Sequence, residues 1–455
     1  MPATFSEAAI RHELLEQLSS ARRATDGLFS IVNSDSLYER PIPERHRIIF
    51  YIGHLEAFDW NLLHDPVLGL KSFHPEFDRL FAFGIDPVGG GLPTDQPSQW
   101  PSVAAVREYV GSIRSGLDEK LQDLLDSNSA GRDGFSLSTL LNVAVEHRFM
   151  HAETLAYMLH QLPLDKKIQP AGARTFVAAG MDRQGIDPSL DGRAFDRSIE
   201  IPAGRITLGL SRDSNSFGWD NEFSAHTVDV PAFAIDQYKV SNQQYCEFID
   251  AGGYENQLLW SDDWVWKTRQ NISHPAFWKR EGDQWLYRTM FNDVPLPPDW
   301  PVYVSQAEAK AYAKWAGKSL PTEAEWQRAA NSTPNGEQRF YPWGNEVPSS
   351  EFGNFDFASW NPAPVNAFPR GQSAFGVQGM LGNGWEWTAT EFAPFPGFEA
   401  FPFYRGYSAD FFDGKHFVMK GGSARTAACM LRPTFRNWFQ AHYQFIYTGF
   451  RCVSR

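Results

Sequence analysis

The character of this chain changes abruptly at Pro163, and this change constrains the fold more than any other feature. Before Pro163, apolar residues recur at helical spacing in four segments: about 6–25, 45–63, 103–125 and 139–162. After it, the chain has short β-like runs, Gly- and Pro-rich turns and 14 of its 16 tryptophans. Only two short helices are predicted there, at about 241–251 and 305–316. The sequence therefore predicts a helical bundle followed by a loop-rich α+β domain held by buried aromatic rings.

The same change gives the expected domain organisation. The chain has 455 residues, about three times the roughly 150 that are typical of one domain. We expect the bundle at 1–165, a linker without periodicity at 166–200 and the second domain at 201–455. The fourth helix should begin after Ser136 or Ser138, since either serine could cap its N-terminus.

Charge and hydropathy exclude several classes of function. The 41 Lys and Arg against 54 Asp and Glu give a net charge of -13, without any block of like charge, so a nucleic-acid partner is not expected. No stretch approaches the roughly 20 apolar residues that cross a membrane, and the N-terminus does not resemble a signal peptide, so we expect a soluble cytoplasmic protein. Three cysteines provide neither a disulfide framework nor a CxxC pair. The sequence is compatible with a homo-oligomer.

Histidines in the helical part suggest a metal site. His147 and His151 are four residues apart on a predicted helix, which places both imidazoles on one face, one turn apart. His54, on another bundle helix, is the expected third ligand, and His46, eight residues earlier, competes for that role. Three imidazoles without a carboxylate suit Fe(II), Zn or Cu and leave coordination positions open for catalysis.

Motifs in the second part carry a resemblance to a known family. They occur in the order LPTEAEWQRAA (320–330), YPWGN (341–345), GNGWEWTAT (382–390), KGGSARTA (420–427) and TGFRCV (448–453). Together with the bundle histidines, this pattern resembles the nonheme iron sulfoxide synthases of ergothioneine and ovothiol biosynthesis. The resemblance implies a DinB-like four-helix bundle followed by a C-type-lectin-like domain, similar to that of formylglycine-generating enzymes.

The resemblance also implies roles for individual residues. The Fe(II) ligands would be His54, His147 and His151 in the bundle. The second domain would supply Tyr404, the tyrosine that delivers a proton or hydrogen atom during oxygen activation, and Tyr407, which contacts the substrate imidazole. Asn437 and Trp438 would hold the betaine end of the substrate, and a Trp face beside a trimethylammonium group forms a cation–π contact. Both domains would therefore be needed for activity.

Two positions depart from the family pattern and bear on the substrates. Met150 stands where some members have a glutamine that contacts the imidazole, and Phe439 stands where members using γ-glutamylcysteine have an aspartate. The resemblance implies hercynine, O2 and a thiol as substrates, and Phe439 favours cysteine over γ-glutamylcysteine as the thiol. The expected reaction joins the thiol to the imidazole and gives a hercynyl sulfoxide.

Other functions remain as alternatives. The metal motif does not separate a thiol donor from a selenium donor, which would give selenoneine. An ovothiol-type synthase acting on histidine is less favoured, because many of those proteins add a methyltransferase domain. A noncatalytic metal-binding bundle fused to a lectin-like binding module is a third alternative. Formylglycine generation is not expected, because those enzymes have a cysteine pair just after the GGS segment, whereas here only Cys429 lies there and Cys452 belongs to the TGFRCV motif.

Overall fold

The chain folds into two compact units, which a computed structural model describes over residues 7–65, 67–82, 93–124, 131–171 and 196–455. The first unit covers Met1–Ala171 and the second covers Gly172–Arg455. Among the described residues, there is no helix that combines the length and the apolar character needed to cross a membrane.

In its described part, the first unit is a bundle of four long α-helices with one short α-helix and a small hairpin. In chain order its elements are α1 (Glu7–Ser30), α2 (Ile48–Leu63), α3 (Pro75–Leu80), α4 (Val103–Asp123), β1 (Gly131–Arg132), β2 (Phe135–Ser136) and α5 (Leu137–Gln161). Helix α1 packs along α5, and α2 packs against both α4 and α5. The predicted four-helix bundle is thereby confirmed, although α1 runs five residues beyond its predicted end.

Helix α5 is buried along most of its length, as is α2. Of the two candidate caps, Ser136 is the one used: its Oγ accepts the Thr139 N–H at 3.2 Å, whereas Ser138 lies inside the helix. The helix ends at Gln161, before Pro163, whose ring cannot continue it. The residues of α5 are buried on nearly every face of the helix, which is the pattern of a helix enclosed by its neighbours.

A buried ion-pair cluster joins α5 to α2. Arg148 is fully buried and donates to Glu56 Oε1 at 2.9 Å, to Asp59 Oδ2 at 2.6 Å and to the Leu55 carbonyl at 2.9 Å. Arg114 of α4 donates to the same Glu56 oxygen at 2.8 Å. Burial raises the pKa of Glu56, but the surrounding arginines outweigh burial and hold the pKa below its ordinary value, so the carboxylate stays ionised.

The chain after α5 first packs back onto the bundle. The Asn33 N–H donates to the Lys166 carbonyl at 3.0 Å, and the Ile168 N–H donates to the Ile31 carbonyl at 2.7 Å. Most of the expected linker, 172–195, lies outside the described residues. The first strand of the second unit begins at Ser198, three residues before the expected domain start.

The second unit combines short strands with short helices. Its strands are β3 (Ser198–Ile201), β4 (Gly204–Leu208), β5 (His226–Val230), β6 (Phe233–Asp236), β7 (Trp278–Glu281), β8 (Gln284–Arg288), β9 (Asp293–Pro295), β10 (Trp385–Glu391), β11 (His416–Lys420), β12 (Asn437–Gln440), β13 (Thr448–Gly449) and β14 (Val453–Ser454). The largest sheet has the order β12–β11–β10–β13, in which β10 pairs antiparallel with β11 and parallel with β13. This mixed architecture confirms the predicted α+β class.

The expectation of only two helices in this unit was wrong. Helices α6 (Asn242–Asp250) and α9 (Gln306–Trp315) correspond to the two predicted, but α7 (Gln257–Trp260), α8 (Asp263–Arg269) and α10 (Glu323–Asn331) are additional. Helix α10 had a readable signal: Thr322 and Glu325 form a reciprocal capping box, with the Glu325 N–H donating to Thr322 Oγ1 at 3.2 Å. It was missed because Trp326 is its only large apolar side chain, whereas in α6, which has the same length, Tyr245 and Phe248 recur at helical spacing.

Three of the five sequence motifs of this unit meet at one buried carboxylate. Glu386, on β10, accepts hydrogen bonds from the Trp326 indole at 3.0 Å and from Arg451 at 2.6 and 2.9 Å. The Lys239 ammonium lies 3.0 Å from the same carboxylate. Three of the five motifs thus supply Trp326, Glu386 and Arg451 to a single core cluster. These motif residues form the scaffold, so they explain the fold and not the chemistry.

Candidate metal centre

Three buried histidines converge in the first unit. His54 comes from α2, and His147 and His151 come from successive turns of α5. Nε2 of His151 lies 3.2 Å from Nε2 of His54 and 3.1 Å from Nε2 of His147. One nitrogen from each ring lies within 4.8 Å of the other two, and no more than 4 % of any of these residues is exposed. The structure therefore brings together the three histidines predicted as ligands.

The backbone of α3 fixes the orientation of the His54 ring. Nδ1 of His54 lies 2.7 Å from the carbonyl of Phe81, directly after α3. A carbonyl can only accept, so Nδ1 carries the proton and Nε2 keeps its lone pair for a metal. Gly53 allows this approach, because a Cβ there would lie 2.5 Å from the buried Phe81 ring.

All three rings are held in the neutral state. Burial lowers the pKa of His54 to about 4, and it lowers the pKa values of His147 and His151 well below the ordinary value. Neutral imidazole is the form that binds metals.

Aromatic rings enclose this group. Phe58 stacks on His147 with ring centroids 3.4 Å apart, and Phe50 stacks on His54 at 4.8 Å. His46 lies on the far side of Phe50, with its centroid 4.2 Å from that ring, and it does not belong to the converging group. Of the two candidates for the third ligand, the structure therefore favours His54.

The donor set fits a metal ion with open coordination positions. Nε2 of His54 carries no proton and can only accept a hydrogen bond. A proton on Nε2 of His151 could therefore serve only one of its two neighbours, Nε2 of His54 or Nε2 of His147, at a time. A cation at the centre would instead accept all three lone pairs at once. Three imidazole ligands leave room for substrates, and nitrogen-only sites suit Fe(II), Zn and Cu.

A second group of predicted residues gathers in the second unit. The rings of Tyr404 and Tyr407 lie 5.4 Å apart, and Trp438 meets Tyr407 edge-on at 5.3 Å. Trp438 also stacks face to face on Phe392, with centroids 4.1 Å apart and planes 5° apart. Tyr407 is buried, whereas Tyr404 and Trp438 are only partly buried. The predicted catalytic residue Tyr404 and two predicted substrate-binding residues, Tyr407 and Trp438, thus form one aromatic cluster.

The remaining predicted residues have defined places. Asn437 begins β12, and its Oδ1 accepts the Trp438 N–H at 2.9 Å. Phe439 packs near Tyr443, with centroids 5.0 Å apart. Met150 is partly buried on α5, directly before His151.

Sequence reasoning missed Trp219, a further member of the aromatic cluster. Trp219 is fully buried and stacks on Tyr407, with centroids 4.0 Å apart and planes 26° apart. Trp219 stands 188 residues before Tyr407, so no local spacing could pair them. The only available signal was the run of polar residues after it, Asp220, Asn221 and Glu222, in a segment that is otherwise aromatic and glycine-rich.

Comparison with known proteins extends these observations. The model of the Sulfatase-modifying factor enzyme 1-like domain matches residues 187–455, and that of the DinB superfamily matches residues 17–155. A hercynine oxygenase of Mycolicibacterium thermoresistibile is 34% identical, over 97% of this chain and 94% of its own. A second, from Mycobacterium tuberculosis, is 37% identical over 77% of each chain. The Ergothioneine biosynthesis protein 1 of Neurospora crassa is 28% identical, over 92% of this chain and 55% of its own.

The first prediction concerns Gly53. A Gly53→Ala substitution should displace Phe81 and the carbonyl that orients His54, and metal affinity should fall about tenfold or more. Gly111, an exposed glycine inside α4 with open space around its Cα, is the matched control, and Gly111→Ala should leave affinity unchanged. Titration of both metal-free variants with Fe(II) under anaerobic conditions checks this. Equal affinities would contradict the proposed role of the Phe81 carbonyl.

The second prediction separates His54 from His46. His54→Ala removes one of three converging nitrogens, so bound iron should drop far below one equivalent after gel filtration. His46→Ala removes a ring that packs on Phe50 and should retain a full equivalent. The reverse pattern, with iron lost only in His46→Ala, would show that His46 is the third ligand.

Proposed function

We propose that this chain, which belongs to the family of the hercynine oxygenases, is an oxygen-dependent enzyme of ergothioneine biosynthesis. In the proposed reaction, the sulfur of a thiol is joined to an imidazole carbon of hercynine to give a sulfoxide. The names of its relatives support the acceptor and the pathway. The single observation that carries the proposal is the buried group of three neutral histidines, which suits a catalytic metal.

The overall reaction balances with O2 as the only oxidant. The thiol loses its S–H proton, the imidazole loses its C–H proton, and a C–S bond forms. Forming this bond removes two electrons, and oxidising the sulfur to the sulfoxide removes two more. Molecular oxygen takes all four electrons, with one oxygen atom entering the sulfoxide and the other leaving as water.

We assign the metal as Fe(II), held by His54, His147 and His151. Iron supplies the redox chemistry with O2 and lowers the pKa of a bound thiol. The protein holds the three imidazoles neutral and enclosed by Phe50 and Phe58, which keeps bulk water away from them. The Phe81 carbonyl keeps the His54 proton on Nδ1, so this ligand needs no further deprotonation.

The aromatic cluster is the proposed binding site for hercynine. The trimethylammonium group of hercynine cannot donate a hydrogen bond, so an aromatic face is a suitable partner for its charge. Trp438 provides such a face, and its stacking on Phe392 fixes the orientation of the indole. Asn437, which precedes Trp438, would donate a hydrogen bond from its side-chain amide to the carboxylate of hercynine. Tyr407 would contact the imidazole.

Tyr404 is the proposed proton or hydrogen-atom donor. Its phenol is only partly buried, and its backbone is held in a turn in which the Tyr404 N–H donates to the Phe401 carbonyl at 3.0 Å. A phenolic O–H can donate either a proton or a hydrogen atom, whereas a phenylalanine ring at this position could donate neither.

We propose cysteine as the donor. Phe439 cannot pair with the ammonium group of a γ-glutamyl donor, and a buried cation without a partner is costly. On the acceptor side, Met150 lacks the side-chain amide with which some family members contact the imidazole of hercynine. A selenium donor is chemically close to a thiol and is included in the test.

The third prediction tests this function. The Fe(II)-loaded enzyme, supplied with O2, hercynine and cysteine, should produce the hercynyl sulfoxide, as measured by mass spectrometry. Cysteine should exceed γ-glutamylcysteine in kcat/KM by at least about tenfold, and Phe439→Asp should narrow that gap because it restores a carboxylate. The same assay is run with histidine in place of hercynine and with a selenium donor in place of cysteine. O2 uptake without any sulfoxide or selenium analogue would refute the proposal.

The fourth prediction concerns Tyr404. In Tyr404→Phe the ring remains and the only transferable hydrogen is lost, so folding and hercynine binding should persist. The thiol and O2 still meet, so turnover should shift from sulfoxide toward cysteine sulfinate, which needs no second substrate. The sulfoxide-to-sulfinate ratio measures this shift. An unchanged ratio at the wild-type rate would remove Tyr404 from the catalytic residues.

A further inference from the structure

We propose that the buried turn Trp219–Glu222 positions the tyrosine segment, defined here as 401–412, and that Ser408 is the positioning residue through which it acts. The inference rests on the proposed function, because it assigns the turn to the segment that carries Tyr404 and Tyr407. It identifies residues that no sequence motif had indicated. Ser408 does not touch the reacting groups in this proposal; it acts through the tyrosines.

Ser408 is a fully satisfied hydrogen-bond hub in a buried site. Its hydroxyl donates to Oδ1 of Asp220 and accepts from the Asn221 side-chain amide at 2.9 Å. All three side chains are at most 1 % exposed. Hydrogen bonds to a charged group in such a place are among the stronger ones in proteins. The tyrosine segment is therefore fixed to the turn directly after Tyr407.

The chemistry of Asp220 suits this role. Burial raises the pKa of its carboxyl to about 6, against hydrogen bonds from Ser408 and from backbone N–H groups, which lower it. At pH 7 the group is therefore still mainly ionised, and it accepts the Ser408 hydroxyl as a carboxylate. A charge held in a buried site requires such donors, because water cannot supply them.

Ring stacking adds a second connection between the turn and the segment. Trp219 stacks on Tyr407 at 4.0 Å and meets Tyr404 edge-on at 6.5 Å. The stack and the Ser408 hub hold adjacent residues, so they restrain both the ring of Tyr407 and the backbone behind it. Two tight turns, in which the Tyr407 N–H donates to the Tyr404 carbonyl at 3.1 Å and the Phe411 N–H donates to the Ser408 carbonyl at 3.0 Å, pass this restraint along the segment.

The other side of the turn is anchored near the strand that carries Asn437 and Trp438. Glu222 accepts both the Trp219 N–H, at 2.9 Å, and a two-pronged contact from Arg432. The Arg436 guanidinium donates to the Asn221 carbonyl at 3.3 Å. The turn thus lies between the tyrosine segment and the approach to β12. It sets the spacing of the two elements that would contact hercynine and its reaction partners, where a shift of about 1 Å can cost about a hundredfold in rate.

Hydrogen–deuterium exchange of the full-length Fe(II)-loaded protein, kept anaerobic, tests the physical part of this inference. Ser408→Ala should accelerate amide exchange in peptides covering 401–412, because the hub is lost. Ser373→Ala is the matched control: this serine is also buried in the second unit, and its Oγ accepts the Val377 N–H at 3.3 Å. It should leave exchange in 401–412 unchanged. If Ser408→Ala does not fold, Asn221→Ala, which removes one of the two hub hydrogen bonds, takes its place. Unaltered exchange in the hub variant would overturn the inference.

Product analysis tests the functional part. Ser408→Ala should shift the sulfoxide-to-sulfinate ratio toward sulfinate by about tenfold, and in a Tyr404→Phe background it should cause no additional shift. If Ser408→Ala accelerates amide exchange but leaves the sulfoxide-to-sulfinate ratio at the wild-type value, Ser408 does not act through Tyr404. An additive effect of the two substitutions on that ratio would refute such a role as well. Absence of sulfoxide from the wild-type enzyme would refute the proposed function instead, and the exchange experiment would still decide whether the hub orders the segment.

Discussion

The buried ion pairs of Arg148 determine how α2 and α5 meet, and the histidine group depends on that meeting. Arg148 follows His147 on α5, and its contact with the Leu55 carbonyl falls directly after His54 on α2. Glu56 and Asp59 complete the set. Breaking a buried pair of this kind typically costs about 3–5 kcal/mol, because one charge is left without a partner. The two helices are therefore held in one register, and a slide along α2 that would separate His54 from the other two rings is strongly opposed.

The second unit separates its scaffold from its proposed site. Three of its five sequence motifs converge on Glu386, where Trp326 and Arg451 satisfy a buried carboxylate and join distant parts of the chain. The aromatic cluster is built from other residues and depends on a second buried carboxylate, Asp220. In this unit, the residues that the motifs mark hold the fold together, and the residues of the proposed site lie outside those packing contacts.

Sequence reasoning reached the bundle and the pair of His147 and His151 because both are encoded locally, whereas only the family resemblance selected His54 over His46. Helical spacing of apolar residues predicts α2 and α5, and the interval between His147 and His151 is itself a helical turn. The role of Ser408 could not be read in this way, since its amide donor lies 187 residues earlier in the chain. The Phe81 carbonyl was equally hidden, because a backbone atom has no sequence signal. Helices α7, α8 and α10 escaped for a different reason: large apolar side chains do not recur at helical spacing in any of them.

Anomalous diffraction at the iron edge, from crystals loaded with Fe(II) without oxygen, tests the central claim most directly. The account predicts a single strong peak, within about 2.0–2.3 Å of Nε2 of His54, His147 and His151, with no other protein ligand. A peak that excludes His54, or one that includes His46 or a cysteine sulfur, would contradict it. So would a protein that binds no iron while its three rings remain in place.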